Sequence, residues 1–588
     1  MAGGIGKVVL HRDRFARCLG LGDRRNPVVA TPCLIQTDVE DLPSDVAPFV
    51  SSTSNTLPRE MTIRSLLPLE PPNFDVAGPN FHANIGHVLP PSLDNADAGE
   101  KASTSVLLPV SWQRLHHDQS LTNLESPPEI VVLTDALQLA QQGDKLVRAI
   151  LAIKKAFPSA LLWAPAIGGP DNIAVLTWLG VDLFDLARSR EAAVEKMYLT
   201  MNGVLQCASS QDYSFDQQLM HWQLAKQEVH SAFQLGTLRE LAEQQALNSP
   251  RLVEHLRFHK EITLDEPGFL ERHMNAEDRF RCYSFQSFSD PLIHDWVDYI
   301  SRQYKSQPKL SKVLVLLPCS ERKPYRLSKS HAKFLDILGH YDLEHLMVTS
   351  PLGIVPRSLE DVWPASHYDI PVTGTWTQDE ILRIQNVLKS FLERHSFQMI
   401  INHSTIDINH LHEHVISTRN GFGALSSQAL KHLDEAVQNA IKEFGVGRTK
   451  ASQALMNRFQ AIADKIMKSS SWLDDCVIRG KPPRWRIEHN GQQIAIWSID
   501  RNAFSFSKAA IDLLHQHNAL PRVQLLPKVN WNGDIFPHMV ESYDVDLRKN
   551  DDVLVYKENI AIGIARVVAP GWEWNNGIGV LAKLHQKK

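Results

Sequence analysis

The chain is 588 residues long and carries 61 basic against 66 acidic side chains, a formal net charge of −5 with a pI near 6.6. That length suits about three to five domains, and the balance excludes a globally basic protein, so any surface for a polyanion has to be local. Six widely spaced cysteines without a C-x-x-C pair give neither a disulfide framework nor a thiolate zinc cluster. The N-terminus lacks the apolar core of a secretory leader, and the most apolar runs, such as residues 312–318, are too short to span a bilayer. A reduced, cytoplasmic protein is expected.

Residues 30–125 are rich in Pro, Ser and Asn with weak periodicity, which predicts loops and short strands. From residue 130 the pattern sharpens: a β-branched run at Ile130–Leu133, a helical stretch over 146–157, the apolar run 160–165, then 171–180 and 181–186. This alternation predicts a parallel α/β unit, followed by helices over 217–262. A second alternating block begins at Lys312 with a strand buried on both faces. Behind it come a helix with Phe334, Leu335, Ile337 and Leu338 on one face, a strand near 343–350, and a helix opened by a Thr377–Glu380 capping box. Strand 397–402 follows. Two strand–helix–strand crossovers imply an open, mostly parallel sheet. After about residue 430 a helix-rich segment leads into half-exposed strands at 484–489 and 492–499. The last 65 or so residues read as short strands and turns of a small β-barrel.

The most chemical segment is 316–331. A buried strand ends at Pro318, Cys319 follows at once, and a helix starts near Ser328. The carboxyl ends of strands line the ligand crevice in such sheets, so Cys319 is expected at its mouth. Arg322, Lys323 and the helix N-terminus are expected to lower its thiol pKa, with His331 one turn into the helix as a proton donor or acceptor. Spacing alone also allows a buried strand-end cysteine beside a solvated basic loop.

The stretch matches a P-C-x3-K-P-Y-x2-S-x2-H signature through Pro318, Cys319, Lys323, Pro324, Tyr325, Ser328 and His331. It resembles the archaeosine synthase family, as does the block Thr349–Gly374. Trp163–Ala187 resembles the GVDLFD-containing block of tRNA-guanine transglycosylases, residues 220–244 their helices behind the zinc site, and residues 458–487 the small domain before their PUA module. The tail is similar to a PUA domain, a small RNA-binding β-barrel. The departures are as informative. Of the zinc ligands in the transglycosylase pattern only Cys207 remains, with His221 where the histidine falls, and one thiolate with one imidazole does not close a tetrahedral site. No zinc or other metal is therefore expected. No aspartate-bearing block supplies a transglycosylase nucleophile, and Asp135 is read as a surface loop residue.

Among the remaining features, His410, His412 and His414 read as a solvated segment rather than a metal site. Trp572 and Trp574 are expected on one face of a barrel strand, with at least one buried. Lys583, Lys587 and Lys588, beside His585, form a modest basic end suited to phosphate.

The expected fold is α/β multidomain: a degenerate TIM-barrel-like region over 1–270 and a doubly wound α/β core over 271–440. A small α+β domain over 441–520 and an independent C-terminal PUA barrel over 521–588 complete it. The resemblance implies a tRNA substrate carrying 7-cyano-7-deazaguanine in its D-arm, whose nitrile takes a nitrogen donor to give an amidine. With Met-Ala-Gly-Gly at the start and no G-x-C-x-G elbow, no glutaminase is visible, which favours a free amine, L-lysine. A radical-SAM partner then completes archaeosine. Cys319 is the candidate for a thioimide or for orienting the nitrile, Lys323 and Tyr325 for polarising its nitrogen, and His331 for moving protons. Pro318, Ser328 and Arg357 are candidates for substrate binding, and Lys583, Lys587 and Lys588 for RNA. A structural Cys319, with Lys323 and His331 holding the donor carboxylate, stays open. So do an active transglycosylase and a non-catalytic tRNA-binding subunit.

Overall fold

A computed structural model describes residues 6–37, 42–43, 46–47, 49–51, 69–70, 107–119, 121, 124, 126–207, 213–266, 268–272, 279–371 and 375–588. Most of the proline- and serine-rich stretch read as loops lies outside the described residues.

The first α/β unit forms as its periodicity predicts. Strands Ile130–Leu133, Leu161–Trp163 and Leu183–Asp185 run parallel, joined by helices Gly143–Ala156 and Ile173–Leu179. On the outer side of this run, Leu107–Val110 pairs in parallel with Ile130–Leu133. At the other end Leu183–Asp185 pairs in parallel with the early strand Cys33–Thr37, so the last strand of this sheet in chain order lies beside its first. Asp182 anchors this end by accepting from the buried Lys154 ammonium at 2.9 Å and from the backbone of Leu162 at 2.8 Å. Three helices follow: Phe215–Leu235, Leu238–Gln245 and Pro250–Thr263.

The second sheet positions the chemistry. Its strand order is Gly353–Pro356, Glu344–Thr349, Val313–Pro318, Met399–Asn402, Val415–Ser417, with every pair parallel except the first. The chain leaves the central strand Val313–Pro318 toward one side through helix Lys329–Leu338. It returns to the other side through helix Gln378–Leu392, whose capping box forms as expected. Strand order therefore reverses at Val313–Pro318, and its carboxyl end is the switch point of a doubly wound sheet. Val313 to Leu317 are fully buried, as a strand covered on both faces requires. Helix Ser427–Phe444 runs across the boundary expected at 440, so the core unit extends at least to Phe444.

A four-stranded antiparallel meander, Cys476–Lys481 to Ala503–Phe506, follows helix Ala451–Ile466. The C-terminal sheet holds strands Val540–Tyr543, Arg522–Leu525, Asp552–Lys557, Ile560–Val567 and Ala582–Lys587 in that order, and Ile535, in the segment before Val540, bridges to Ala582 on the far edge. This barrel is not the free-standing unit expected from the sequence. Trp572 packs on Phe15 with ring centroids 4.7 Å apart, and Arg12 donates to both oxygens of the fully buried Glu573 at 3.0 Å. Lys549 reaches Glu271 at 3.1 Å, and Asn550 donates to the carbonyl of Arg272 at 2.6 Å. Leu554, Tyr556 and Ile564 also continue the apolar core of the preceding domains. Trp572 and Trp574 stand on a 3₁₀ turn, not a strand. Trp574 is buried inside the barrel with its indole N–H on the carbonyl of Ala569 at 2.6 Å, so both rings serve packing.

Candidate functional site

The loop after Val313–Pro318 carries a half-buried Cys319 and, four residues on, a half-buried Lys323. Burial raises the Cys319 thiol above its ordinary value, outweighing the opposing pull of Lys323 and of a hydrogen bond with Thr349. The expected low-pKa thiol is therefore corrected: desolvation wins over the basic neighbours, and the thiol stays protonated near neutrality. The same burial lowers Lys323, against the countering charges of the Asp369 and Glu321 carboxylates. Its Nζ sits 4.1 Å from the ring centroid of Tyr368. The pair is a proton-holding thiol beside an amine that releases its proton more easily than a solvated lysine.

The other signature residues build the wall behind this pair. Tyr325 is fully buried, and its hydroxyl meets that of Tyr368 at 2.5 Å, so it faces the protein and not an open crevice. Ser328 caps helix Lys329–Leu338 by accepting from the backbone N–H of His331 at 3.2 Å. His331 is fully buried. Its Nε2 donates to the carbonyl of Pro318 at 3.0 Å, and its Nδ1 accepts from Arg357 at 2.9 Å. Burial, aided by Arg357, pushes its pKa down to about 3, so the ring is neutral and has no nitrogen left for a substrate. The proton-transfer role expected of His331 gives way to a positioning role: it fixes the carbonyl immediately before Cys319.

Arg357 is likewise committed, with its other arm on Glu360 at 3.0 Å. Glu360 also accepts from the backbone of Arg326 at 2.9 Å, while Arg326 and Arg458 both pair with the buried Asp361. Pro318, Ser328 and Arg357, expected to touch substrate, are thus spent on a carbonyl contact, a helix cap and an ion network. Sequence reasoning missed Tyr368, Thr349, Glu360 and Asp361. The signal that could have found them is the family-like block Thr349–Gly374, which contains all four, with two carboxylates between Arg357 and an apolar Val-Trp pair.

Elsewhere, Lys583 and Lys587 stand exposed on the last strand, while Lys588 at its end reaches Asp512 at 2.5 Å. An irregularity at His585 separates them, with Lys583 opposite Arg566 and Lys587 opposite Gly563, so strand alternation does not place the two on one face. Cys207 and His221 flank a stack of Tyr198 on Tyr213 with centroids 4.8 Å apart. Asp135 is buried, not on a surface loop, and accepts from the backbone of Trp112 at 2.9 Å. His412 is held by its own neighbourhood, with Nε2 on the carbonyl of Phe397 at 3.0 Å. Among the described residues no three of His, Cys, Asp or Glu converge as a metal-ligand set, and no helix is long and apolar enough to cross a membrane.

Fold and site define a multidomain α/β protein with a thiol and an amine at the switch point of a doubly wound sheet. Residues 293–437 match a family described as a domain of unknown function, DUF5591. The chain is 26% identical to the archaeosine synthase subunit alpha of Methanosarcina acetivorans, over 78% of this chain and 80% of that relative. It is 27% identical to the archaeosine synthase of Methanocaldococcus jannaschii, over 77% and 80%. A tRNA-guanine(15) transglycosylase of Methanobrevibacter smithii is 22% identical over 73% and 66%. Among solved structures, one of a protein of unknown function covers 49% of this chain and 98% of its own at 19% identity and a TM-score of 0.40. A conserved PUA domain protein from Thermoplasma acidophilum covers 22% and 89% at 15% identity and a TM-score of 0.18. The resemblance to archaeosine synthases carried by residues 318–331 thus extends over about three quarters of the chain.

Proposed function

We propose that this protein is a tRNA-modifying archaeosine synthase. It adds L-lysine to the nitrile of 7-cyano-7-deazaguanine in the tRNA D-arm, in the cytoplasm, and a radical-SAM enzyme processes the adduct. The observation that carries the reading is the Cys319–Lys323 pair at the switch point, in a chain similar to archaeosine synthases on both sides of it. Addition needs three things: an electrophilic carbon held still, a nucleophilic nitrogen, and a proton for the nitrile nitrogen. The donor lone pair forms the new C–N bond, one π pair moves to the nitrile nitrogen, and that nitrogen takes a proton while the donor nitrogen gives one up. Lys323, lowered by burial, is suited to carry that proton. Cys319 either orients the nitrile or adds first, passing its S–H proton through Lys323 and leaving as the thiol when the amine displaces it.

The first α/β unit is read as a relative of the TIM barrel, on the ground that its last parallel strand lies beside its first. The C-terminal barrel is read as a PUA-type tRNA contact presenting Lys583 and Lys587, with Lys588 at its edge. Cys207 and His221 supply too few donors for a structural zinc site, so none is assigned. A base-exchanging activity is disfavoured because Asp135 is tied to Trp112. The test is nucleoside mass spectrometry of nitrile-bearing tRNA incubated with protein and lysine. A nucleoside heavier by one lysine supports the reading, whereas base exchange or unchanged nucleoside overturns it.

A further inference from the structure

Tyr368 lies outside the signature and 45 residues from Lys323 in sequence, yet it touches much of the apparatus. It sits on the short strand Tyr368–Asp369, paired in parallel with Phe280–Arg281 so that Tyr368 lies opposite Phe280, and it is 2% exposed. Its ring carries the Lys323 ammonium at 4.1 Å. Its hydroxyl meets the Tyr325 hydroxyl at 2.5 Å and also bonds the Thr349 hydroxyl, which in turn is hydrogen-bonded to Cys319. One buried side chain thus joins the amine, the signature tyrosine and, through Thr349, the thiol.

We infer that Tyr368 is a positioning residue for the proposed amine addition: its ring seats Lys323, and its hydroxyl holds the Thr349–Tyr325 wall that aligns Cys319. The inference rests on the proposed reading of the site. The ring and the hydroxyl do separable things. A π face attracts a cation with no proton of its own to give, so it favours the ammonium form that burial disfavours. The hydroxyl joins two other buried hydroxyls, where each bond stiffens its neighbours. The groups acting on Lys323 from the surrounding elements are Cys319, Glu321, Asp369 and Cys282, none of which is itself substituted in the Tyr368 variants.

The experiment compares Tyr368→Phe, which keeps the ring, with Tyr368→Leu, which removes it; Tyr368→Met replaces the latter where it does not fold. Two readouts are taken on the full chain. In steady-state amine addition to nitrile-bearing tRNA, Tyr368→Phe is expected to lower kcat about tenfold, the worth of one well-placed hydrogen bond, with KM for tRNA unchanged. Tyr368→Leu is expected to lower kcat about a hundredfold. Competitive acetylation of Lys323 across pH, followed on its peptide by mass spectrometry, needs no catalysis. Its midpoint is expected to stay put in Tyr368→Phe and to move to lower pH in the ring-less variant. A folded ring-less variant with the wild-type labelling midpoint overturns the inference, and so does one with wild-type kcat. A wild type inactive on nitrile-bearing tRNA overturns the proposed function, and the labelling curve then decides the seat of Lys323 by itself.

Discussion

Arg357 donates to Nδ1 of His331 at 2.9 Å, and the opposite nitrogen of the same ring donates to the carbonyl of Pro318 at 3.0 Å. The contact fixes the tautomer, since a ring accepting at Nδ1 must carry its proton on Nε2. It also makes the last signature residue a brace for the first. Glu360, fully buried behind Arg357, supplies the counter-charge for that half-buried guanidinium.

His331→Gln is expected to lower stability at pH 7 by about 1–3 kcal/mol, because it leaves buried polar partners unpaired. The sign of the pH dependence follows from the depressed pKa. Between about 6.5 and about 3 the unfolded chain binds a proton at His331 that the folded chain does not, so wild-type stability falls with pH across that window. The stability gap between wild type and His331→Gln should therefore shrink by up to ~1.4 kcal/mol per pH unit below 6.5. Denaturant titrations at several pH values measure this, and a constant gap would show that the ring is charged in the fold.

Ser328→Ala removes the hydroxyl that accepts from the backbone of His331. The expected loss is ~1 kcal/mol of stability, with turnover nearly retained, as befits a helix cap. Ser328→Asp, also a good cap, should restore stability. A large fall in kcat in a stable Ser328→Asp protein would return this hydroxyl to the substrate-binding role the signature suggested.

The frame of the molecule was legible where periodicity is strong. Val313–Pro318 reads as a doubly covered strand because nothing in it tolerates water, and the Thr377–Glu380 capping box is a local device that tertiary structure did not override. Fixed spacing also located the loop carrying Cys319 and Lys323. Spacing did not reveal which signature residues face outward. Tyr325, Ser328 and His331 have partners far along the chain or in the backbone: Tyr368, a helix terminus, and Arg357 with Pro318. The sign of the Cys319 shift was missed for the same reason. Basic neighbours are visible in sequence, whereas desolvation depends on what packs around the thiol. The tryptophans of the tail were misplaced because a 3₁₀ turn interrupts the strand pattern there.

The C-terminal barrel is joined to the opposite end of the chain through the buried Arg12–Glu573 pair. Arg12→Ala leaves the fully buried Glu573 carboxylate without its counter-ion and is expected to cost about 3–5 kcal/mol. Removing residues from 521 onward would also strip Trp572 from Phe15 and bare the cores beneath. The truncated chain is therefore expected to unfold or aggregate rather than merely bind tRNA less well. A truncated protein with the wild-type melting temperature would restore the barrel as an independent unit.

Variants at Lys323 and Cys319 separate the roles of the amine and the thiol. Lys323 is lowered by burial and lies beside a thiol that burial raises, so the proton between donor, nitrile and sulfur passes most easily through Lys323. Lys323→Ala is expected to lower kcat by about 10²–10⁴-fold, the span of a lost general acid–base group, with tRNA affinity held within a few-fold. Lys323→Arg should not restore it, since a guanidinium keeps its proton throughout the working range. If the ammonium is the form required, wild-type activity falls as pH rises through the lowered Lys323 pKa, an alkaline limb below the 10.5 of a free lysine. If Lys323 instead holds the donor carboxylate, raising lysine concentration recovers most of the rate of Lys323→Ala, and the alkaline limb appears in KM for lysine and not in kcat at saturating lysine. Cys319→Ala then reads the sulfur. A thioimide route lost with the thiol costs orders of magnitude, each ~1.4 kcal/mol in the barrier being tenfold, and wild type quenched without lysine should carry a covalent tRNA adduct at Cys319. A folded Cys319→Ala protein within a few-fold of wild type, with no adduct trapped, would leave direct attack by the amine as the route. The buried Tyr325, Tyr368 and Thr349 hydroxyls would then serve to shape the nitrile's seat rather than to tune a nucleophile.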